Sequence, residues 1–430
     1  MNILIKDILT LLSDGEKKLK AEVCSVYIKN KKIESINTEP EGFIADKTIH
    51  GSGKMLMPGL INAHTHASMT VLRNCADDLL FDEWLFGRIM PLEDKLTGED
   101  NYWATTLAIM EMLRTGTTSY IDMYYFLDDL ARAVDDTGMR AVLTRGLIGN
   151  ADDPEAGAIR MREAIEAYEK WKDHDNISFM LAPHAPYTCD DVFQREVAAE
   201  ARNLGLGIHT HISEGLVEID TIRDKYGCTS TELMDKTGLL SNRTVAAHCV
   251  QLTDSDIKIM AERGVTIVTN PVSNLKLANG IAPVPKMLKA GINVALGTDG
   301  AASNNTLNMF RELAVLSILH KGINHDALAV TAEEALLIAT KGGAKAMGRN
   351  DLGEIKVGNT ADLIILNLET PNMQPINNPI SALAYSTNGS EVETVIVGGK
   401  ILMENKEFTT VDEKKVYHEV SKICERIGTR

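Results

Sequence analysis

Two histidines near residue 65 are spaced as a pair of metal ligands would be. His64 and His66 lie in the segment PGLINAHTH, at the end of an apolar stretch. Because side chains alternate along a β-strand, residues two apart point to the same side, and both imidazoles can face one cation. An isolated pair of this kind is more often two polar residues at a strand end, so a metal site requires further ligands elsewhere in the chain.

Later apolar segments end in further candidate ligands. His211 lies in HTHISE and Asp299 lies in LGTDG. His209 also lies in HTHISE, but only His211 is followed three residues later by a carboxylate, that of Glu214. We therefore select His211 as the ligand and expect a structural or supporting role for His209. The four predicted metal ligands, which all stand at predicted strand ends, are His64, His66, His211 and Asp299.

The ligand types favour zinc. Nitrogen and oxygen donors without cysteine suit Zn²⁺, with Fe²⁺ and Mn²⁺ as alternatives. Zinc lowers the pKa of water to about 7 and so supplies hydroxide at neutral pH, which Asp299 could orient. Glu214 and His248, the latter in AAHC, would lie beside the ion. A second ion would need a group that bridges the two metals, and this group is often a modified lysine at the end of the fourth strand. The fourth predicted strand, FMLAPHAP, carries His184 there and no lysine. We therefore predict one zinc ion per subunit.

The elements that would position these residues alternate between strands and helices. The eight predicted strands are PGLINAHTH, SYIDM, RAVLTRGL, ISFMLAPHAP, LGIHTHIS, TVAAHCV, VTIVTNPVS and INVALGTDG. Stretches with helical periodicity, such as residues 101–113 and 158–172, lie between them. Eight such units predict an α/β fold, a (β/α)8 TIM barrel, with every candidate ligand at the C-terminal face where barrel active sites are built. A doubly wound open sheet is the alternative, but no G-x-G-x-x-G follows the early strands.

The sequence pattern at both ends of the chain is typical of a smaller β domain. The segment EVCSVYIKNKKIESIN indicates a hairpin around the polar turn KNKK. Past Gly348, the segments DLGEIKVGNTADLIILNL and ETVIVGGKILMENKEF indicate short strands joined by glycine turns. We predict a composite β-sandwich domain from residues 1–56 and 350–430, and a metal-dependent barrel over residues 57–349.

Composition excludes several classes of function. The chain has 430 residues and a formal net charge of −16, and an acidic surface repels nucleic-acid backbones. The H-x-E…P-C-x-x-C pattern of base-editing deaminases is also absent. No window approaches the ~18 uninterrupted apolar residues of a membrane span. The six cysteines are scattered and form no C-x-x-C pair, which is typical of reduced thiols and predicts a cytoplasmic protein.

The motifs PGLINAHTH, PHAPYTC, HTHISE, AHCV and LGTDGAASNN together resemble the amidohydrolase superfamily. Within it they are similar to the deaminases of S-adenosylhomocysteine and 5′-methylthioadenosine. The resemblance implies hydrolytic deamination of adenine nucleosides, adenosine among them, to the inosine analogue and ammonia. It assigns zinc binding to the four predicted ligands, protonation of the ring nitrogen to Glu214, and handling of the hydroxide proton to His248 and Asp299. The partner is then a small-molecule nucleoside, and a homo-oligomer is compatible with it.

The same resemblance implies a set of substrate contacts. The predicted substrate contacts are Trp84, Glu93, Arg145, Arg160, His184, Glu214 and Asp299. A carboxylate such as Glu93 can accept hydrogen bonds from both ribose hydroxyls, and a guanidinium at Arg145 could bind the carboxylate of a homocysteine tail. The family places a second arginine further on, for which this chain offers Arg160 and Arg162; we choose Arg160.

Two alternatives stay open at this point. Guanine deaminases and triazine hydrolases share much of the pattern and would use the same zinc site. An interaction protein built on a catalytically inactive barrel is an alternative of a different class. Retention of every proposed ligand and proton carrier argues against it.

Overall fold

Strands from the N-terminal end of the chain lead into the barrel. The structure is a computed structural model that describes residues 1–14 and 18–429. The first five strands are β1 (Ile3–Ser13), β2 (Leu19–Lys29), β3 (Lys32–Ile36), β4 (Lys47–His50) and β5 (Lys54–Pro58). The predicted hairpin is confirmed, because β2 and β3 pair antiparallel.

Eight parallel strands form the centre of the molecule. They are β6 (Leu60–Thr65), β7 (Thr117–Tyr124), β8 (Arg140–Leu147), β9 (Ile177–Pro183), β10 (Gly207–Ile212), β11 (Thr244–His248), β12 (Thr266–Thr269) and β13 (Asn293–Leu296). Each pairs with its neighbour in sequence, from β6 to β13. The amide of Asp299 donates to the carbonyl of His64 at 3.0 Å and so joins the last strand to the first. The barrel prediction is confirmed.

The barrel strands consist mostly of apolar residues, which suits strands whose two faces are both buried. Their inward side chains include Ile61, Ile121, Val142, Val245 and Val268, which pack together along the axis. Outward side chains pack against the surrounding helices. Parallel strands covered on both faces show continuous apolar runs of this kind, which made them recognisable in the sequence.

Helices follow the strands around the barrel. They are α1 (Phe81–Trp84), α2 (Met90–Glu93), α3 (Gly98–Arg114), α4 (Leu127–Thr137), α5 (Pro154–Trp171), α6 (Asp191–Leu204), α7 (Leu216–Tyr226), α8 (Ser230–Thr237), α9 (Asp254–Arg263), α10 (Pro271–Lys276), α11 (Val284–Lys289), α12 (Met309–Asn324), α13 (Ala332–Leu337) and α14 (Gly343–Ala346). A 3-10 helix, Ala67–Leu72, follows β6, and π turns occupy Leu85–Ile89 and Ile338–Gly342.

Local capping signals set several helix ends. The Thr97 hydroxyl accepts from the amide of Asp100, whose carboxylate accepts from the amide of Thr97, so α3 begins with a capping box. Thr253 and Asp256 begin α9 in the same way. Helix α4 ends at Gly138, whose φ of 80° places it in the left-handed region that glycine adopts readily.

The second sheet combines both ends of the chain. After the barrel come β14 (Leu363–Asn367), α15 (Pro379–Ser381) with the π turn Ala382–Ser386, β15 (Val392–Val397), β16 (Lys400–Glu404), β17 (Glu407–Phe408) and α16 (Glu413–Ile427). The strand order is β17-β16-β15-β14-β5-β1-β2-β3, with β4 on β1. Its own core contains Ile3, Ile28, Leu56, Leu363 and Ile396. Helix α16 packs against α3 of the barrel. No helix in the described part of the chain is long and apolar enough to cross a bilayer.

Candidate active site

Four side chains from three strand ends converge at the C-terminal mouth of the barrel. Asp299 Oδ1 lies 3.4 Å from His64 Nε2 and 3.3 Å from His66 Nε2. His211 Nε2 lies 3.3 Å from His66 Nε2. Ligand atoms bound to one tetrahedral zinc ion lie about 3.4 Å apart, since each Zn–N bond is about 2.1 Å long. These three separations therefore fit ligands of a divalent cation.

Backbone carbonyls orient two of the imidazoles. The Nδ1 of His66 is 2.6 Å from the carbonyl oxygen of Met123, and the Nδ1 of His211 is 2.8 Å from that of His184. A carbonyl only accepts, so each Nδ1 carries a proton and each Nε2 faces the centre. Burial also lowers the pKa of His211 well below its usual range, which keeps this ring neutral, the form that binds metal.

The third imidazole is oriented by another histidine. His64 Nδ1 lies 2.9 Å from His209 Nε2, and His209 Nδ1 lies 3.3 Å from the hydroxyl of Thr144. Burial lowers the pKa of His64 to about 3 and that of His209 well below its usual range, so both rings are neutral. The Nε2 of His64 is buried and has no hydrogen-bond partner among the described residues. A buried nitrogen lone pair without a donor is what a metal ligand requires, so the residues fit a bound cation.

Two hydroxyls hold the carboxylate of Asp299. Its Oδ2 accepts from Ser273 Oγ at 2.6 Å and from Ser303 Oγ at 2.7 Å, which leaves Oδ1 for the cation. Burial alone would raise the pKa of Asp299, but the adjoining imidazoles of His64 and His66 hold it well below its usual range. The residue has a φ of 61°, a strained backbone conformation of the kind found at functional sites.

His248 lies beside the four ligands. Its Nδ1 is 2.8 Å from Asn274 Oδ1, and its Nε2 is 3.9 Å from Glu214 Oε2. Candidate ligand atoms of His64, His211 and His248 lie within 4.8 Å of one another, as do those of His64, His66 and Asp299. Asn274 can accept a hydrogen bond from Nδ1, and the Nε2 of His248 then faces Glu214 inside the site.

Glu214 is held by two neighbours. Asn279 Nδ2 donates to Glu214 Oε1 at 3.0 Å. The carboxylate of Glu218, one turn into α7, accepts from the amides of Ser213 and Glu214 at 2.7 Å and 3.1 Å and so holds the turn that carries the side chain. Burial raises the pKa of Glu214 above its usual range.

One pocket contains these groups together with most of the predicted substrate contacts. Trp84, Glu93 and His184 line it beside the metal-site residues. Glu93 Oε1 accepts from the hydroxyl of Tyr124 at 2.7 Å, and burial raises the pKa of Glu93 to about 7. The indole Nε1 of Trp84 is buried and has no partner among residues 1–14 and 18–429. A hydrogen-bond donor and an acceptor are therefore available above the metal site.

Arg145 lies in a groove next to the pocket. The groove and the pocket share Met90, Glu93, Tyr125 and Ile148 in their walls. The Arg145 guanidinium stacks over the Tyr125 ring, 4.8 Å from its centroid, and its Nε lies 2.8 Å from an oxygen of Glu163. The predicted tail-binding arginine is thus already paired with a carboxylate of the protein.

The two candidates for the second arginine differ in position. Arg160 lines the groove and donates from Nη1 to the carbonyl of Ile148 at 2.8 Å. Arg162 is exposed and lines neither the groove nor the pocket. Of the two, only Arg160 is placed to reach a ligand that extends out of the pocket.

Comparison with known proteins agrees with this geometry. Residues 55–402 match the sequence profile of the Amidohydrolase family. The chain belongs to the amidohydrolase family. This amidohydrolase is 45% identical over 430 residues to a 5-methylthioadenosine/S-adenosylhomocysteine deaminase of Caldanaerobacter subterraneus subsp. tengcongensis, with 99% of each chain covered. The family resemblance inferred from the sequence is confirmed.

Solved structures show the same fold. An adenosine deaminase from Xanthomonas campestris with bound zinc is 35% identical, with a TM-score of 0.93 over 100% of this chain and 99% of that one. Atrazine chlorohydrolase TrzN from Arthrobacter aurescens, complexed with zinc, has a TM-score of 0.91 at 22% identity over 98% of this chain and 100% of that one, which shows the fold alone. The buried His/His/Asp cluster of this amidohydrolase accordingly fits a divalent metal ion.

Sequence reasoning missed the neutral polar residues that hold the site of this amidohydrolase. They are Ser273, Asn274, Asn279 and Ser303, and each bonds a proposed ligand or proton carrier. The first two lie in NPVSNLK, directly after β12, and the last lies in LGTDGAAS, directly after β13. Polar residues that follow barrel strands lie at the catalytic face, and this signal could have identified them.

Proposed function

We propose that this protein is a zinc-dependent aminohydrolase that deaminates adenine nucleosides, with S-adenosylhomocysteine and 5′-methylthioadenosine as its main substrates. One observation carries the proposal. Three of the four proposed ligands, His66, His211 and Asp299, line the same pocket as Glu214 and His248, the proposed acid and base, and the fourth, His64, lies 3.4 Å from Asp299. The relatives that carry the deaminase name match this chain over nearly its whole length.

His64, His66, His211 and Asp299 would hold one zinc ion per subunit, with Fe²⁺ or Mn²⁺ as alternatives. A zinc ion in such a site lowers the pKa of water to about 7 and so makes hydroxide available at neutral pH. The neutral imidazoles of His64 and His211 and the ionised carboxylate of Asp299 are in the protonation states that bind it.

Glu214 supplies the proton for the purine ring. Burial raises its pKa, which favours the proton-carrying form that a general acid needs, and Asn279 holds Oε1 while Oε2 faces His248. Proton donation to the ring nitrogen adjacent to C6 makes that carbon more electrophilic. General acid catalysis of this kind contributes about 10²- to 10⁴-fold.

His248 and Asp299 accept and donate the protons of the attacking water. The lone pair of His248 Nε2 takes a proton from the attacking water, and Asp299 orients that water. The water oxygen forms a bond to C6, the bond from C6 to the exocyclic nitrogen breaks, and the nitrogen leaves as ammonia after His248 and Asp299 pass it a proton taken from the water. One water is consumed, and the product is the inosine analogue.

The rest of the pocket would bind the nucleoside. Glu93, ionised above a pKa of about 7, accepts hydrogen bonds from the ribose hydroxyls. Trp84 packs along the nucleoside and offers its indole N–H, while His184 contacts the base. Arg145 and Arg160 lie in the adjoining groove, where a homocysteine tail would extend.

A substrate panel scored by ammonia release tests the proposal. We expect turnover of S-adenosylhomocysteine, 5′-methylthioadenosine and adenosine, with one zinc ion per chain by metal analysis. Guanine and a chlorotriazine serve as the alternative substrates, and the latter is scored by chloride release. Turnover of guanine or the triazine without turnover of any adenine nucleoside would contradict the proposal, and so would a metal-loaded protein with no activity on the panel.

A further inference from the structure

A buried carboxyl group connects the two loops that carry the hydroxyl partners of Asp299. Glu312 lies in the first turn of α12 and is fully buried. Its Oε2 accepts from the backbone amide of Val272 at 3.1 Å, and its Oε1 accepts from the side-chain amide of Asn304 at 2.6 Å. Val272 follows β12 and Asn304 follows β13, and these two strands are neighbours in the barrel. One side chain therefore joins the segments that leave two adjacent strands.

Each of these contacts is one residue away from a hydroxyl that bonds Asp299. Val272 precedes Ser273, and Asn304 follows Ser303. Both serines are buried, and their hydroxyls donate to Asp299 Oδ2 at 2.6 Å and 2.7 Å. Because the peptide unit is planar and stiff, a bond that fixes one residue of a buried loop also restricts its neighbour. The carboxyl group on α12 is thus placed to determine where both hydroxyls lie.

Asn304 extends the connection to the backbone beside Asp299. Its Nδ2 carries two hydrogens, and besides the bond to Glu312 it donates to the carbonyl of Thr298 at 2.6 Å. Thr298 directly precedes Asp299, whose φ of 61° lies in the left-handed region. A strained conformation of this kind persists only where the surrounding contacts hold it. The bonds of Asn304 therefore act on the strained segment itself.

The contacts of Glu312 offer little reason for its presence other than position. Burial of a carboxyl group costs free energy, and hydrogen bonds from two N–H donors return only part of it. An apolar side chain of similar size would fill the same space on α12 without that cost. Glu312 also lines no part of the pocket, so it touches neither the substrate nor the reacting atoms.

We propose that Glu312 is a positioning residue of the metal site. It fixes the loops after β12 and β13 relative to each other, and through Ser273 and Ser303 it aligns the carboxylate of Asp299 for the cation. The inference rests on the proposed function, since Asp299 must be a metal ligand. It adds a residue on α12 that acts on the metal without contact to it.

Glu312→Gln is the principal test. The substitution keeps the size of the side chain but replaces one acceptor oxygen by an NH2 group, which cannot accept a hydrogen bond. We expect the zinc affinity, measured in competition with a chelator, to fall about two- to tenfold, as for the loss of one hydrogen bond. The visible absorption spectrum of the cobalt(II)-substituted protein should also change, because that spectrum reports the geometry of the ligands around the ion.

Glu391→Gln is the matched control. Glu391 is likewise a fully buried carboxyl group that holds a loop, since it accepts from the amides of Asn388 and Gly389 and from the side chain of Asn372. It directly precedes β15 in the second sheet and does not line the pocket. The zinc affinity and the cobalt spectrum should keep their wild-type values. An equal fall in zinc affinity in Glu391→Gln would overturn the inference, because zinc affinity would then follow general stability.

A combination of substitutions tests the route from Glu312 to the metal. In the Ser273→Ala/Ser303→Ala double variant the hydroxyls are absent, so Glu312→Gln should add little to the loss of zinc affinity. A full additional loss in that background would overturn the inference. Asn304→Ala removes only the contact to Oε1, and it should weaken zinc binding and change the cobalt spectrum as well. If Glu312→Gln does not fold, Asn304→Ala decides the question.

Failure of this inference can be told apart from failure of the proposed function. Wild-type zinc affinity and an unchanged cobalt spectrum in folded Glu312→Gln, or in Asn304→Ala when the former does not fold, would overturn the inference and leave the deaminase function in place. A wild-type protein that binds no zinc would overturn both. Zinc binding that depends on Glu312 in a protein inactive on every nucleoside would support the positioning role and contradict only the proposed substrates.

Discussion

Asn279 donates a hydrogen bond from its side-chain amide to Glu214, with Nδ2 3.0 Å from Oε1. The two residues stand on loops that follow different barrel strands, 65 positions apart. Gln251 in turn donates to the carbonyl of Asn279 at 2.6 Å and so fixes the loop. Because one oxygen of Glu214 is held in this way, the other points toward His248. The proposed acid is therefore oriented before any substrate arrives.

Removal of this orienting bond should reduce turnover without removing the metal. We expect Asn279→Ala to lower kcat about tenfold or more, since a hydrogen bond to an ionisable group is worth about 1.5–3 kcal/mol. Glu214→Gln should keep zinc and lose about 10²- to 10⁴-fold in kcat, the contribution of a general acid. Steady-state kinetics with metal analysis measures both. Asn203→Ala, an exposed position on α6, is the control, and a near wild-type rate in Glu214→Gln would contradict the role of Glu214.

The activity should depend on pH through Glu93. Burial raises its pKa to about 7, so the carboxyl gains a proton as the pH falls through that value. The protonated form is a weaker acceptor for the ribose hydroxyls, and kcat/KM should therefore fall on the acid side of about pH 7. Glu93→Gln should lack this acid limb and have a kcat/KM at pH 8 about ten- to hundredfold lower.

A substrate without ribose hydroxyls provides the control for Glu93. A dideoxyribose analogue should lose affinity in the wild-type enzyme but should be turned over equally by the wild type and Glu93→Gln. If Glu93→Gln kept the wild-type profile of kcat/KM against pH, a different group would be responsible for the limb.

The hydroxyls that hold Asp299 should set the metal affinity. Ser273 and Ser303 both donate to Asp299 Oδ2. Loss of such supporting bonds typically weakens metal binding about 10–100-fold, so we expect Ser273→Ala and Ser303→Ala each to do so. Zinc retained in competition with a chelator is the measurement, with the exposed Ser255→Ala as control. Wild-type zinc affinity in the double variant would show that the hydroxyls do not support the ligand.

The two arginines of α5 should behave differently. Arg160 lines the groove, whereas Arg162 is exposed outside it. We expect Arg160→Met to lower the ratio of kcat/KM for S-adenosylhomocysteine to that for 5′-methylthioadenosine about tenfold or more, because an ion pair to the tail is lost. Arg162→Met should leave this ratio unchanged. A fall in Arg162→Met and not in Arg160→Met would reverse the assignment.

Much of this architecture was accessible from the sequence because its signals are local. The barrel strands appear as apolar runs, and residues such as His64 and His211 stand where those runs end. The supporting residues have a weaker signal, which is only their position after a barrel strand. Asn279 and Ser303 are neutral side chains of types that occur in any loop, and only the path of each loop brings them to Glu214 and Asp299.

By itself, then, the sequence determined the order of strands and helices and which titratable groups reach the C-terminal face of the barrel, because the repeat of apolar residues depends only on near neighbours. Only the tertiary structure decided which nitrogen of each imidazole faces the centre and that Arg145 pairs with Glu163 in a separate groove. Those outcomes depend on contacts between elements distant in the chain, and such contacts exist only after the barrel has closed.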